Sequence, residues 1–384
     1  MLDKVCEMGD SLTNHSVSID IESKGSFFLE EICKFLKILK QSFRVHFLLI
    51  LLIGCYFLIY ISARKSIEMD GRTITLQSAK PLLVFTLHYL NFIICGRTFY
   101  IIFFIRPKRL LKFIFTDFMK NSLLSIRLAM ALPIFLIIPL FIALFCVFKP
   151  MIPFWVPYSW DAFFTHLDSI LHGGVQPWQL LHPLLGYPFI TVTINFFYIL
   201  WFFIMYGVLL WQVFSLRDIR LRQQFLFTFL ASWIILGTGA AILFSSAGPC
   251  YYGRITGLSD PFMPLMSYLQ AANEIVPISA LHTQEMLWSG FLNSKICLGS
   301  GISAMPSLHV SMAFLFTLVG WRTRRVLGIV FTAYAFIILI GSVHLGWHYA
   351  VDGYVAIIGT WIIWKAVGFL LNRYPFLWEG HFNP

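Results

Sequence analysis

The chain has 384 residues; 58% are hydrophobic, 17% aromatic and only 12% charged, with a net charge of +10 at neutral pH. Soluble domains carry about 25% charged residues, so this composition excludes an ordinary soluble domain. The basic residues flank apolar segments, which argues against a nucleic-acid-binding surface and for a role in membrane orientation.

In chain order, the first 40 residues mix polar and hydrophobic positions, with Lys34, Lys37 and Lys40 just ahead of the first apolar run. They lack a basic-then-apolar segment with a small-residue cleavage site, so they read as a cytoplasmic tail or interfacial helix. Eight segments are apolar over roughly 18 or more residues, the length needed to cross a bilayer core. They lie at about 43–62, 82–105, 128–148, 189–213, 225–246, 304–321, 326–344 and 350–371. The expected fold is therefore all-α, a polytopic membrane helical bundle. Arg97 either divides the second span or finds an ion-pair partner inside it.

Residues 106–127 place Leu110, Leu111, Ile114, Phe118 and Leu123 at helical spacing beside Lys108, Lys112, Lys120 and Arg127. The pattern suits an interfacial helix or an extension of span two. Pro133 and Pro139 predict a kink in span three. Two long connections follow, 149–188 and 247–303, rich in Trp, Tyr, Pro and Gly. They contain His166-Leu167-Asp168, Gly173 to Trp178, and Gly248-Pro249-Cys250-Tyr251-Tyr252-Gly253-Arg254. Loops of this length usually carry function. Cys250 and Cys297 share the second loop and have the option of a disulfide, whereas Cys55, Cys95 and Cys146 fall within spans as packed thiols.

Arg106, Lys108, Arg109 and Lys112 follow span two; Arg217, Arg220 and Arg222 follow span four; Arg322, Arg324 and Arg325 follow span six; Arg373 follows span eight. All fall on one side of an eight-span arrangement, which the positive-inside rule makes cytoplasmic, together with both termini. Arg64, Lys65 and Arg72 oppose this assignment. The two long loops then face the periplasm, the extracellular space or an organelle lumen.

The chemistry-bearing residues cluster near the C-terminus. His344, His348 and Asp352 recur at i, i+4 and i+8. If the last helix begins near His348, then His348 and Asp352 share a face, and a carboxylate on one ring nitrogen raises the nucleophilicity of the other. Pro306-Ser307 has the chemistry of a helix start, with Ser307 as cap and an anion site in the first turn beside His309. An oriented histidine, a second histidine and an anion cradle make a phosphoryl-transfer site. Other readings are weaker. His344, His348 and Asp352 have a superficial metal-ligand spacing, but no Glu stands beside them. Gly301-Ile302-Ser303-Ala304 or Ser307 with a histidine would suit an intramembrane serine protease. A transporter or scaffold could keep a dead site. His166, His172, His182 and His282 read as ordinary hydrogen-bonded histidines; His344 is balanced between that and substrate contact.

Pro306-Ser307-Leu308-His309 resembles the Pro-Ser-Gly-His motif of the type 2 phosphatidic acid phosphatase superfamily. Leu345 to Asp352 resembles its third motif, which ends in His-x-x-x-Asp. The resemblance implies a phosphohistidine on His348, orientation by Asp352 and leaving-group protonation by His309, with Ser307 at the phosphate. It implies a six-helix phosphatase-like catalytic core over 128–372. Residues 1–127 would add a tail, two spans and an interfacial helix, and 373–384 would form a short cytoplasmic tail. The lipid phosphatases of the superfamily carry Arg six residues before the nucleophile, where this chain has Ser342, and a Lys-x6-Arg-Pro motif not found here. Leu308 and the missing arginine are closer to the inositol phosphorylceramide synthase-like (inositolphosphotransferase) branch. Its Pro- and aromatic-rich motif is similar to Gly248 to Tyr252. Tyr252 and Arg254 are then candidate phosphate-binding residues, Arg254 as a substitute clamp. The implied substrates are membrane phospholipids or lipid phosphates, with a lipid acceptor or water, and no nucleic acid. No cofactor and no metal is expected.

Overall fold

The computed structural model describes residues 20–65, 94–95, 98–118, 126–293 and 301–377. Every regular element among them is helical, as the composition requires: inside a bilayer, backbone polar groups must be satisfied within the segment. Among the described residues, five helical stretches are long and apolar enough to cross a membrane: Ile126–Trp155, Pro188–Val213, Ile219–Leu243, Arg325–His344 and Ala350–Arg373. A sixth passes only as a bent pair, Ile32–Val45 and Phe47–Ala63, which meet at 56°.

We label the main helices α1 (Asp20–Val45), α2 (Phe47–Lys65), α3 (Leu110–Phe118), α4 (Ile126–Phe148), α5 (Asp161–Leu171), α6 (Pro177–Leu185), α7 (Pro188–Val213), α8 (Ile219–Ile234), α9 (Met263–Ile275), α10 (Ser279–Leu292), α11 (Leu308–Thr323), α12 (Arg325–His344) and α13 (Ala350–Arg373). Helices α4, α7, α8 and α11 to α13 pack on one another, with the most extensive contact between α11 and α12. One apolar core runs through them, including Phe141, Trp201, Phe225, Phe229, Phe316 and Ile338.

Several expectations are refined. The second expected span falls mostly outside the described residues, as do Arg97 and Cys297; its end is a π-helical turn, Ile101–Ile105. The helix expected at 106–127 is described over Leu110–Phe118. Pro133 and Pro139 lie inside α4 without interrupting it. The span expected at 304–321 is a shorter helix, because residues 301–307 run to Ser307 in non-helical conformation. The two long connections are themselves largely helical, folding as α5, α6, α9 and α10. Cys250 carries a free thiol.

Arg222 corrects the charge assignment most clearly. It is not a loop cation: it sits in α8 and is fully buried. Its Nε donates to the Gln212 and Val213 carbonyls, both at 3.1 Å, at the end of α7. Its Nη2 donates to the Met130 carbonyl of α4 at 3.1 Å. Its Nη1 lies 2.9 Å from His46 Nε2, between α1 and α2. Arginine has no acceptor, so His46 Nε2 accepts and its Nδ1 carries the proton donated to the Ser42 carbonyl at 2.7 Å. Cations favour a helix C-terminus because the last-turn carbonyls lack partners. Arg222 thus ties the N-terminal helix pair to the bundle. Arg222→Met should destabilise the protein by about 3 kcal/mol or more, since several buried acceptors lose a charged donor. Thermal unfolding in detergent should show a clear loss, with Arg325→Met, at an exposed position, as the unaffected control.

Candidate active site

The two motifs meet. The Ser307 N–H donates to the Asp352 carbonyl at 3.2 Å, joining the N-terminus of α11 to the first turn of α13. Ser307 caps α11, its Oγ accepting from the Val310 N–H. The next two amides, Leu308 and His309, have no partner among the described residues, the arrangement that makes a helix N-terminus receptive to an anion.

His348 stands in the turn between α12 and α13. Its Nδ1 is 3.2 Å from Asp352 Oδ2. The same oxygen accepts the Tyr349 N–H at 3.0 Å, and Asp352 is fully buried. The Ser342 carbonyl takes the Trp347 and His348 amides at 2.9 and 3.1 Å. The position that carries arginine in the lipid phosphatases therefore secures the backbone of this turn, while Ser342 Oγ donates back to the Leu339 carbonyl. His348 is 8% exposed. Burial, and next the positive charge of Lys149, pull its pKa from 6.5 down to about 3 against a smaller opposing effect of the Ala304 carbonyl. Its imidazole is thus neutral at physiological pH, the state that the expected nucleophile role requires.

His309 lies in an aromatic box. Tyr198 stacks on it at 4.7 Å between ring centroids, and Trp201 and Phe202 lie at 4.2 and 5.8 Å. Trp201 Nε1 also donates to the His309 carbonyl at 3.0 Å, fixing both ring and backbone. Leu308, which replaces the motif glycine, has its own accommodation. A Cβ at Gly237 would stand 2.6 Å from Leu308 Cδ1. Gly237 belongs to a π-helical turn, Ile235–Ala240, that follows α8; such turns often mark functional sites.

Lys149 was missed by motif reading. It ends the apolar run of α4, and its charge acts on both imidazoles. Its backbone packs against the segment leading to Ser307, where a Cβ at Gly301 would meet the Lys149 carbonyl carbon at 2.9 Å and the Pro150 nitrogen at 2.7 Å. Its ammonium has neither hydrogen bond nor ion pair among the described residues. The available signal is a single cation at the end of a span that the charge pattern assigns to the outer side, where the positive-inside rule disfavours one.

The remaining candidates lie elsewhere. His344 does not share a helical face with His348 and Asp352, because α12 ends at His344 and Gly346 turns the chain at φ +73°. His344 Nε2 pairs with Thr191 Oγ1 at 2.9 Å, which in turn meets the Tyr268 hydroxyl at 2.8 Å. The metal-ligand spacing read along one helix is thereby lost. Arg254 pairs with Glu285 through two bonds of 2.7 and 2.8 Å and lies over Trp288 at 5.3 Å, with both charged side chains exposed. Tyr252 is buried against Phe262, which packs on Tyr349 beside His348.

Residues 162–366 match the sequence model described as the PAP2 superfamily, the type 2 phosphatidic acid phosphatase superfamily whose motifs the chain resembles. No curated protein and no solved structure gives a significant match. The matched stretch covers more than half of the 384 residues and contains both motifs, so the chain belongs to the PAP2 superfamily.

Proposed function

We propose that this protein is an integral membrane phosphotransferase that moves a phosphoryl headgroup between lipids, in the manner of the inositol phosphorylceramide synthases. The observation that carries the reading is the hydrogen-bonded junction of Ser307 and Asp352. It sets a histidine–carboxylate pair opposite an anion-receptive helix end and a second histidine. Superfamily membership supports lipid phosphatase or phosphotransferase chemistry in general. Ser342 and Leu308, in place of the phosphatase arginine and glycine, favour transfer to a lipid over transfer to water.

In this reading the donor's phosphate lies on the Leu308 and His309 amides with Lys149 as counter-cation. His348 Nε2 attacks phosphorus in line, while Asp352 holds the proton on Nδ1 and stabilises the imidazolium-like product. The P–O bond to the departing lipid breaks, and His309, protonated as the anionic phosphate binds beside it, gives that alkoxide its proton. The acceptor hydroxyl then returns a proton to His309 and attacks phosphorus, the P–N bond breaks and His348 is free again. Asp352, His309 and Ser307 are the further participants; Tyr252, Arg254 and His344 support the surrounding loops and helices. The same reading treats 128–372 as the catalytic core and sets both termini in the cytoplasm, with the site at the opposite face.

Lipid mass spectrometry of membranes with and without the protein should show a headgroup-bearing product lipid, and His348→Ala should abolish it. Accumulation of a dephosphorylated lipid with free headgroup phosphate would instead make the enzyme a phosphatase. Full activity in His348→Ala would end the nucleophile assignment. Lys149→Met should raise KM for the donor at least about tenfold, the loss expected for one charge-assisted phosphate contact; titrating initial rates against donor lipid measures this. The pH profile is a further check. Only neutral His348 attacks, and its lowered pKa keeps it neutral under acidic conditions. The acid limb of kcat/KM should therefore fall well below the ordinary imidazole value of about 6.5.

A further inference from the structure

Helix α5 carries two carboxylates, Asp161 and Asp168, each 1% exposed. Seven residues apart, they fall on one face. Buried carboxylates are costly unless hydrogen-bonded, and both use their oxygens on the segment that holds His348. Asp168 Oδ2 accepts the Ala350 N–H at 2.7 Å and Oδ1 the Val351 N–H at 2.9 Å, the first two amides of α13. Asp161 Oδ1 accepts the Tyr349 hydroxyl at 2.9 Å and the Gly248 N–H at 2.8 Å. The Ala247 N–H reaches both Asp161 oxygens, at 3.1 and 3.0 Å.

Those contacts join two strips of chain. The Cys250 N–H donates to the Gly346 carbonyl at 2.9 Å. Gly248, at φ +102°, comes so close that a Cβ would stand 2.7 Å from the Trp347 carbonyl oxygen. Residues 346–349 are therefore held along one side by 247–250, with Asp161 bonded to both strips. Asp168 fixes the residues that follow. His348 is bracketed: Tyr349 is anchored to Asp161, Ala350 and Val351 to Asp168, and the Asp352 carbonyl to Ser307. Burial tends to raise the pKa of both carboxyls, and the hydrogen bonds from these groups oppose it.

We propose that Asp161 and Asp168 are positioning residues for the reaction, which hold the 346–349 turn and the first turn of α13 so that His348 keeps its Asp352 bond and aims its free nitrogen at the α11 N-terminus. The proposal rests on the reading of His348 as the attacking group. Neither carboxylate touches the transferred group. Asp168 has a second effect: its oxygens occupy the leading amides of α13, leaving the end of α11 to receive the phosphate.

The test uses the full chain in nanodiscs with a fluorescent phospholipid donor and a hydroxyl-bearing acceptor lipid, comparing wild type with Asp161→Asn, Asp168→Asn, Tyr349→Phe and His348→Ala. Asn keeps size but replaces an acceptor oxygen with an NH2 group. Both Asn variants should lose about 10- to 100-fold in kcat, the scale expected for displacing a reacting group by an ångström, with KM for the donor within about twofold. Tyr349→Phe should lose several-fold in kcat alone. If either Asn variant fails to fold, the other variant and Tyr349→Phe carry the same comparison. Unchanged kcat in the folded variants, or a loss appearing in KM with kcat retained, overturns the proposal. His348→Ala separates the two ideas: if it remains active, the nucleophile assignment falls. If it is inactive while the folded positioning variants match wild type, the positioning role alone falls.

Discussion

One hydrogen bond organises the site: the Ser307 amide on the Asp352 carbonyl, 3.2 Å across two helices that are neighbours in space but about 40 residues apart in sequence. Inside an apolar bundle a free backbone amide or carbonyl costs several kcal/mol. The bond satisfies the Ser307 amide, just ahead of α11, on a carbonyl in the first turn of α13. It also fixes the distance between the start of α11 and the start of α13. His309 belongs to the first element and the His348–Asp352 pair to the second, so the relative placement of acid and nucleophile in the proposed reaction depends on it.

Charge follows the same economy. At one end of the bundle, Arg222 is buried without a carboxylate partner among the described residues and is satisfied by helix-end carbonyls and a neutral His46. At the other end Lys149 has no such partners among the described residues and acts on both imidazoles. The buried Arg222 and the partly buried Lys149 thus have opposite states of satisfaction. The satisfied one ties helices together; the unsatisfied one is available to an anionic substrate. In the proposed mechanism Lys149 takes the electrostatic task that arginine performs in the lipid phosphatases, while Ser342 holds the backbone of the nucleophile turn.

Much of this was legible in the sequence, because membrane burial writes itself into apolar run length. The boundaries of α4, α7, α12 and α13 follow the expected spans within two residues. The cap at Ser307 was readable from Pro-Ser chemistry, and the pairing of His348 with Asp352 from i,i+4 spacing. Other features depended on tertiary partners. Arg222 reads as a loop cation until Gln212, Val213, His46 and Met130 surround it. His344 continues the i,i+4 pattern, but Gly346 breaks the helix and turns it toward Thr191. Arg254 has the right chemistry for phosphate, yet Glu285 lies 31 residues away in sequence and holds it. Lys149 shows the converse: an unremarked residue acquires importance because Gly301 brings the Ser307 segment against it.

The central claim is that phosphorus passes through His348. The most direct measurement is to load purified protein with a phosphate-radiolabelled donor lipid in the absence of acceptor, quench in base, and locate the label by peptide mass spectrometry. The account predicts an acid-labile, base-stable adduct on the peptide containing His348, discharged to a labelled lipid when a hydroxyl-bearing acceptor lipid is added. Label on another residue, or turnover without any protein-bound phosphorus, would contradict it.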